Sequence, residues 1–245
     1  MTSTRPSAAT ARLDRDPDKA VEICVAAARI FSEKGFHATS INEVADAVHL
    51  TKAGLYYYIK GKQDLLFRIM ELAMDTLEQE VVVASSVEPD LVRRLRSIVE
   101  RYTRLIIKGR CELSILVNEI EGLTPVQRAR IVARQREFMR HIRRTLEALD
   151  EEGKLRPIDS TVGAYGLSGM ILWVSRWYRS GGRLDVDQLV GDITRIALAG
   201  VLTEAAAAEE ESSRAPAGKR PPAMTANSSK QSPLKKNPSK KKALR

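Results

Sequence analysis

Three consecutive tyrosines beginning at Tyr56 are the side chains of this chain best suited to binding chemistry. Neighbouring residues of an α-helix point about 100° apart, so one core cannot bury all three rings and some hydroxyl groups must face outward. Lys52, Lys60 and Lys62 stand close to them in the sequence. Hydroxyl and ammonium groups on one exposed surface can donate to phosphate oxygens and to base edges. The segment therefore predicts a surface that contacts nucleic acid.

Groups capable of covalent catalysis are few. The two cysteines, Cys24 and Cys111, lie in apolar surroundings, and a thiol nucleophile would need His141 as its base. No Ser/His/Asp or Cys/His arrangement is recognisable from the spacing, and metal motifs are missing. An acyl-thioester enzyme is thus a minor hypothesis, and we predict no catalytic residue, no metal and no cofactor. Two cysteines in apolar surroundings also indicate a reducing compartment.

Positive charge is concentrated at the C-terminus. The 245 residues contain 40 Lys and Arg against 31 Asp and Glu, a net charge of +9. Residues 212–245 hold ten of the bases and no acid, which leaves 30 bases against 31 acids upstream. Basic arms bind phosphate without sequence preference. An alternative hypothesis is therefore a non-specific DNA-compacting protein that acts through its basic tail.

Helical periodicity with almost no strand-like alternation predicts an all-α fold. Asp16 and Pro17 begin a first helix over 17–34, Ser40 and Glu43 form a capping box for a second, and Thr51 caps a third. Further helices are expected at 62–83, 90–108, 111–121, 125–152, 159–180 and 186–206. Three short helices, the last two separated by a few residues, have the outline of a helix-turn-helix.

These elements divide the chain into four parts. We expect a flexible N-terminal arm at 1–15, a helix-turn-helix domain at 16–67, a second helical domain at 68–206 and a disordered Lys-rich tail at 207–245. The N-terminus has no apolar targeting segment, and no stretch is long and apolar enough to span a membrane. A soluble cytoplasmic protein is the expectation.

Residues 19–66 resemble the DNA-binding domain of the TetR/AcrR family of bacterial transcription regulators. The resemblance lies in ARIFSEKGF at 28–36, TSINEVA at 39–45, LYYYI at 55–59 and KQDLL at 62–66. It implies a homodimeric, nucleoid-associated regulator, expected to act as a repressor on a palindromic operator. It also implies an all-α architecture in which the helix-turn-helix precedes an effector-binding and dimerisation domain.

The family pattern assigns the DNA contacts residue by residue. It implies that the major groove is contacted by Thr51, Lys52, Ala53, Gly54 and Tyr57. It implies that backbone phosphates are contacted by Tyr56, Tyr58 and Lys62, with Ser40 reaching one from the second helix. This chain has Tyr57 and Tyr58 where many relatives carry a histidine in one of the two places, so the resemblance does not carry over a base preference at that point.

The resemblance also implies dimerisation through the last two helices. Their small residues would let helices approach closely and their apolar residues would supply area, and the candidates are Gly166, Gly169, Gly200, Leu189, Ile193 and Ile196. Ordinary packing within one chain is the alternative for the same residues. The sequence does not decide between repression and activation.

The tryptophans Trp173 and Trp177 lie four residues apart on one helical face beside Met170, a pattern typical of a core. The surrounding segment also resembles a subgroup of the family that controls fatty-acid, steroid or aromatic-acid catabolism, many members of which respond to acyl-CoA thioesters. Arg134 and Arg176 are candidates for the CoA phosphates. The remaining candidate ligand residues are Leu116, Asn118, Phe138, Ile142, Met170, Trp173 and Trp177, with Asn118 expected to need a buried partner.

Overall fold

The computed structural model describes residues 16–108, 111–179 and 181–214, which are predominantly α-helical. In chain order the helices are α1 (Pro17–Lys34), α2 (Ile41–Ala47), α3 (Lys52–Tyr58), α4 (Lys62–Leu77), α5 (Ala84–Ser86), α6 (Leu91–Ile107), α7 (Cys111–Asn118), α8 (Pro125–Glu151), α9 (Ser160–Trp177), α10 (Val186–Val201) and α11 (Glu204–Arg214). A π-helical stretch, Glu78–Val83, joins α4 to α5, and a 3-10 turn, Ile120–Gly122, precedes α8. The all-α prediction is confirmed.

Side-chain caps fix the starts of the first three helices, as the sequence predicts. Asp16 accepts a hydrogen bond from the Lys19 backbone N–H at 3.1 Å. The Ser40 hydroxyl accepts from the Glu43 N–H at 3.2 Å, and the Glu43 carboxylate accepts in return from the Ser40 N–H at 2.7 Å. These contacts satisfy backbone donors that have no partner within the helix. The beginnings of these helices are therefore specified locally.

Helix α6 forms the centre of the second domain. Leu95, Val99 and Leu105 are fully buried along one side of it, where α8, α9 and α10 pack. Helices α1, α4 and α7 pack on one another and join the helix-turn-helix to this domain. No helix in the described ranges has the length and apolar character needed to cross a bilayer.

Gly122 lies where the second domain meets the helix-turn-helix. A Cβ there would lie 2.8 Å from Leu66 Cδ2 and 3.0 Å from two ring carbons of Phe36, so any side chain at this position would have to displace them. The Gln63 side-chain amide donates to the Gly122 carbonyl oxygen at 3.2 Å. The 3-10 turn is thus held against both α4 and the segment that leads into α2.

The boundary predicted for the disordered tail, residue 207, is wrong because the chain is still helical there. The helix expected over 186–206 ends at Val201, and 207–214 belong to α11 instead of a disordered segment. Ala206 and Glu210 are buried, and the Arg96 guanidinium donates two hydrogen bonds to the Glu210 carboxylate. The composition of this segment suggested disorder because it does not reveal that Glu210 pairs with Arg96. The arm at 1–15 and the rest of the tail lie outside the described residues.

Replacing Glu210 with Gln should destabilise the protein. Arg96 would keep only Glu100, at 3.2 Å, as its acidic partner. Loss of a charged hydrogen-bonded contact costs about 1.5–3 kcal/mol, and each kcal/mol lowers Tm by about 2–4 °C in a domain of this size. Circular-dichroism melting at fixed protein concentration measures this. Glu211→Gln is the matched control, since Glu211 is 75% exposed. Equal Tm values for the two variants would contradict the anchoring role of Glu210.

Candidate nucleic-acid interface and ligand cavity

Helix α3 is seated on the core by its apolar side. Leu55 is fully buried and Ile59, which ends the helix, is 4% exposed. The turn before α3 contains His49 in the left-handed region, with φ of 55°. The Leu50 N–H donates to the Ala45 carbonyl at 2.9 Å and so ties the turn back to α2. The opposite side of α3 is consequently fixed in direction and faces outward.

The outward side of α3 carries the predicted contact residues. Thr51, Lys52 and Ala53 are exposed, and Tyr56 and Tyr57 are 42% and 39% exposed. The Thr51 hydroxyl oxygen accepts from the Gly54 N–H at 3.0 Å, which leaves its own proton available to donate outward. This surface combines hydroxyl and ammonium donors with little bulk at its N-terminal end. It can approach a groove closely and donate to oxygens there.

Tyr58 differs from its two neighbours. It is half-buried and packs against the core, and its ring meets Tyr57 edge to face with centroids 5.3 Å apart. The three rings therefore do not share one environment, as the helical geometry predicts. The Tyr57 ring is braced by Tyr58. The phosphate contact of Tyr58 stays a prediction.

Two further predicted phosphate contacts lie on the neighbouring helices: Lys62 begins α4 and Ser40 caps α2. The Lys62 ammonium donates to the His37 carbonyl at 3.1 Å and lies 4.7 Å from the centroid of the Phe36 ring, so it is held in place while still offering further N–H donors. Near Ser40, hydrogen bonds from Lys34 and from Ser40 lower the pKa of Glu43 to about 2. That carboxylate is neutralised by Lys34 at 2.5 Å. The paired Glu43 carboxylate therefore repels a phosphate near Ser40 less than an unpaired carboxylate would.

A cavity of about 390 Å³ lies in the second domain among α4, α6, α7, α8 and α9. Leu116 and Phe138 line it, as predicted, in mainly apolar surroundings. Its polar groups include the Tyr102 hydroxyl and Ser168 Oγ, 3.5 Å apart. Burial raises the pKa of Tyr102 to about 12, so the phenol is protonated near neutral pH and can donate. The cavity suits an apolar ligand with an oxygen to hydrogen-bond.

A second cavity of about 450 Å³ adjoins the first through Val117, Gly169 and Leu172, which line both. Asn118, Trp173 and Arg176 line this second space, whose wall includes Ser32 of α1. The Arg176 guanidinium donates to Asn118 Oδ1 at 3.2 Å. Asn118 is exposed, so the expectation that it needs a buried partner is wrong.

Four predicted ligand residues line neither cavity. Ile142 is fully buried in the core, Met170 is half-buried and Trp177 is 45% exposed outside both spaces. The Arg134 guanidinium lies 2.8 Å from the Asp75 carboxylate and also pairs with Glu71, both on α4. Its charge is used within the protein. Helical spacing alone did not indicate which side of each helix meets the cavity.

The outer surface of α9 and α10 carries part of the predicted dimer interface. Leu189 and Ile193 are buried within their own chain, which fits the alternative of ordinary packing, and their part in an interface stays a prediction. Gly166, Gly169 and Gly200 are exposed and Ile196 is 60% exposed. Three further apolar or aromatic residues are exposed on α9 and were not predicted from the sequence to lie at its surface: Val162, Tyr165 and Trp173.

Both domains match family models. Residues 23–69 match the model described as bacterial regulatory proteins, tetR family, and residues 88–201 match tetracyclin repressor-like, C-terminal domain. The HTH-type transcriptional repressor KstR2 of Rhodococcus jostii (strain RHA1) is 27% identical over 184 residues, 74% of this chain and 89% of its own length.

Solved structures show the same arrangement of both domains. AibR in complex with isovaleryl coenzyme A and operator DNA is 33% identical to this chain and superposes with a TM-score of 0.69, over 73% of this chain and 97% of that one. Apo AibR is 32% identical, with a TM-score of 0.67 over 72% and 97%. The likeness therefore extends over nearly the full length of AibR.

Removing the side-chain cap of α3 should lower the stability of the folded protein. Thr51→Val keeps the shape of the side chain but loses the oxygen that accepts from the Gly54 N–H, at a cost of about 1 kcal/mol. Thermal unfolding should show Tm lowered by about 2–4 °C. Thr51→Ser retains the oxygen and should melt close to the unmodified protein. A Val variant as stable as the Ser variant would show that the cap is not stabilising.

Proposed function

The chain belongs to the TetR family of bacterial regulatory proteins, and we propose that it is a homodimeric repressor that binds a palindromic operator and is released by an acyl-CoA thioester. It is a DNA-binding transcriptional regulator. The observation that carries the proposal is the rigid seating of α3, with Leu55 in the core and Tyr57 outside. We place its action in the bacterial cytoplasm, on the nucleoid.

In this proposal α3 of each protomer enters one of two successive major grooves, about 34 Å apart along the duplex. Lys52 and Tyr57 contact base edges. A side chain at Gly54 would begin 3.3 Å from Thr51 Oγ1. Glycine leaves the first turn of α3 without this added bulk, so that the start of the helix can approach the bases. Ser40, Tyr56, Tyr58 and Lys62 would donate to backbone phosphates and fix the register.

The outer face of α9 and α10 is the proposed dimer interface. Val162, Trp173 and Ile196 expose apolar area there, being 68%, 65% and 60% exposed. At Gly166 and Gly200, among the described residues, no heavy atom lies within 4 Å of where a side chain would begin. Partner helices could therefore pack closely at the glycines while the larger side chains supply buried area.

The effector proposal rests on the cavity and on AibR, which is seen bound to isovaleryl coenzyme A. We place the acyl chain beside Leu116 and Phe138, with the thioester oxygen near Tyr102. Helix α7 lines this cavity and continues into the turn that packs on Phe36 through Gly122. An acyl-CoA can shift the equilibrium only if it binds the two states unequally.

This role requires no catalytic residue, and the chemistry of the thiols supports that part of the proposal. Burial raises the pKa of Cys24 to about 11, and burial also raises that of Cys111. Thiolate is therefore scarce at neutral pH, and thiolate is the nucleophilic form. His141 interacts with Ser85, with 3.1 Å between Nε2 and Oγ.

Footprinting on the promoter beside the gene for this chain tests the main proposal. The protein should protect a two-fold symmetric site, and acyl-CoA should reduce that protection. Tyr57→Ala should weaken binding to this site by about tenfold, the scale of one lost base contact, and spare binding to unrelated DNA. Tyr57→Phe separates the hydroxyl from the ring. Equal binding of unrelated DNA by the unmodified protein would contradict specific repression.

Truncation after residue 214 tests the basic tail while keeping α11 intact. The shortened chain should retain its operator preference and lose salt-sensitive affinity, with the slope of log K against log salt falling by about 0.9 for each phosphate contact removed. Fluorescence anisotropy over a salt series measures both. If operator preference disappeared with the tail, α3 would not be the main source of specificity.

A further inference from the structure

A groove of about 290 Å³ opens between α8 and α9. It lies beside the cavity of about 390 Å³ lined by Leu116 and Phe138, which we call the acyl cavity. Three arginines of α8 line the groove, Arg136, Arg140 and Arg143, and we call it the arginine groove. Its other lining residues are Met139, Thr161, Ala164 and Tyr165. Arg136, Met139 and Tyr165 also line the acyl cavity, so the two spaces adjoin. The groove therefore adjoins the apolar cavity and adds three guanidinium groups beside it.

One of the three arginines of the groove, Arg136, has a guanidinium whose donors are all unused in the described structure. Among the described residues, the Arg136 guanidinium has neither an ion pair nor a hydrogen bond, although Arg128 and Arg130 of the same helix pair with Glu121 and Glu71. Arg143 already pairs with Glu147, with 3.1 Å between Nε and a carboxylate oxygen.

Arg140 pairs with Glu137, and both side chains are largely exposed. An exposed pair of this kind contributes little to stability, so an incoming anion can compete for the guanidinium at small cost.

The spacing of these arginines favours several anionic groups over one. Arg136, Arg140 and Arg143 recur at helical spacing on one side of α8, over seven residues and about 10 Å of helix. A single carboxylate would reach only part of that length. Guanidinium groups bind phosphate in a bidentate manner. The exposed ring of Tyr165 adds a face on which a base could stack.

We propose that the arginine groove binds the phosphates of a CoA carrier whose acyl chain occupies the adjoining cavity. This inference rests on the proposed acyl-CoA effector and adds the residues that recognise its carrier. It replaces Arg134, whose charge is paired with Glu71 and Asp75. The CoA carrier could instead lie in the second cavity, beside Arg176. That site offers a single guanidinium, which is already bonded to Asn118.

Calorimetric titration of the full chain tests the inference. A panel of acyl-CoAs from four to sixteen carbons, with isovaleryl-CoA included, identifies the acyl group that binds most tightly. The same acyl group is then offered as its N-acetylcysteamine thioester, which has the thioester but no phosphate. Arg136→Gln and Arg140→Gln are the test variants. Arg144→Gln is the matched control, because Arg144 is exposed on the same helix and does not line the groove.

Each test variant should bind the acyl-CoA at least about tenfold more weakly, as expected for one lost charged hydrogen bond. Each should bind the phosphate-free thioester as the unmodified protein does, and Arg144→Gln should leave both affinities unchanged. Added salt should weaken acyl-CoA binding less in the test variants than in the unmodified protein.

Three results would overturn the inference while leaving an acyl-CoA effector in place. The first is unchanged acyl-CoA affinity in both test variants. The second is equal loss for the acyl-CoA and for the phosphate-free thioester, which would indicate damage to the cavity. The third is loss on Arg176→Gln in place of Arg136→Gln. If the unmodified protein bound no acyl-CoA of the panel, the effector proposal itself would fail.

Discussion

The close packing of the Ile120–Gly122 turn on the helix-turn-helix is the contact on which the proposed regulation depends. Leu66 and the Phe36 ring occupy the space that any side chain at Gly122 would need. Both are buried, so a movement of the turn would act on side chains that are packed against the helix-turn-helix. Helix α7 leads into this turn and presents Leu116 to the cavity. Cavity and DNA-binding surface are thus joined by packed, nearly incompressible contacts.

Placement of a few side chains, and not total charge, gives the helix-turn-helix its capacity for specific recognition. Residues 1–67 contain nine bases and eight acids, so this part of the chain is nearly neutral. Lys34 neutralises Glu43 next to the cap of α2. Lys52 and Tyr57 can then act from a surface with little background charge. The large positive excess beyond residue 211 is suited to non-specific attraction of DNA.

Helix caps could be predicted from the sequence because their partners are close along the chain. Which side of each helix packs within the chain could not be predicted. The caps Asp16, Ser40 and Thr51 involve residues within three positions, and the structure confirms the helix starts that they predict. Leu189 could be predicted either for an interface or for packing within its own chain, and in the structure it is buried within the chain. The pairing of Glu210 with Arg96 crosses more than a hundred residues. No periodicity in α11 indicates such a partner.

The central claim is an energetic coupling between the cavity and the operator, and coupling must be reciprocal. The most direct measurement is the affinity of the full chain for its tightest acyl-CoA, titrated with and without saturating operator DNA. We expect the operator to weaken acyl-CoA binding by the same factor by which acyl-CoA weakens operator binding, about 5- to 150-fold. An acyl-CoA affinity that is identical for the free and the operator-bound protein would contradict it.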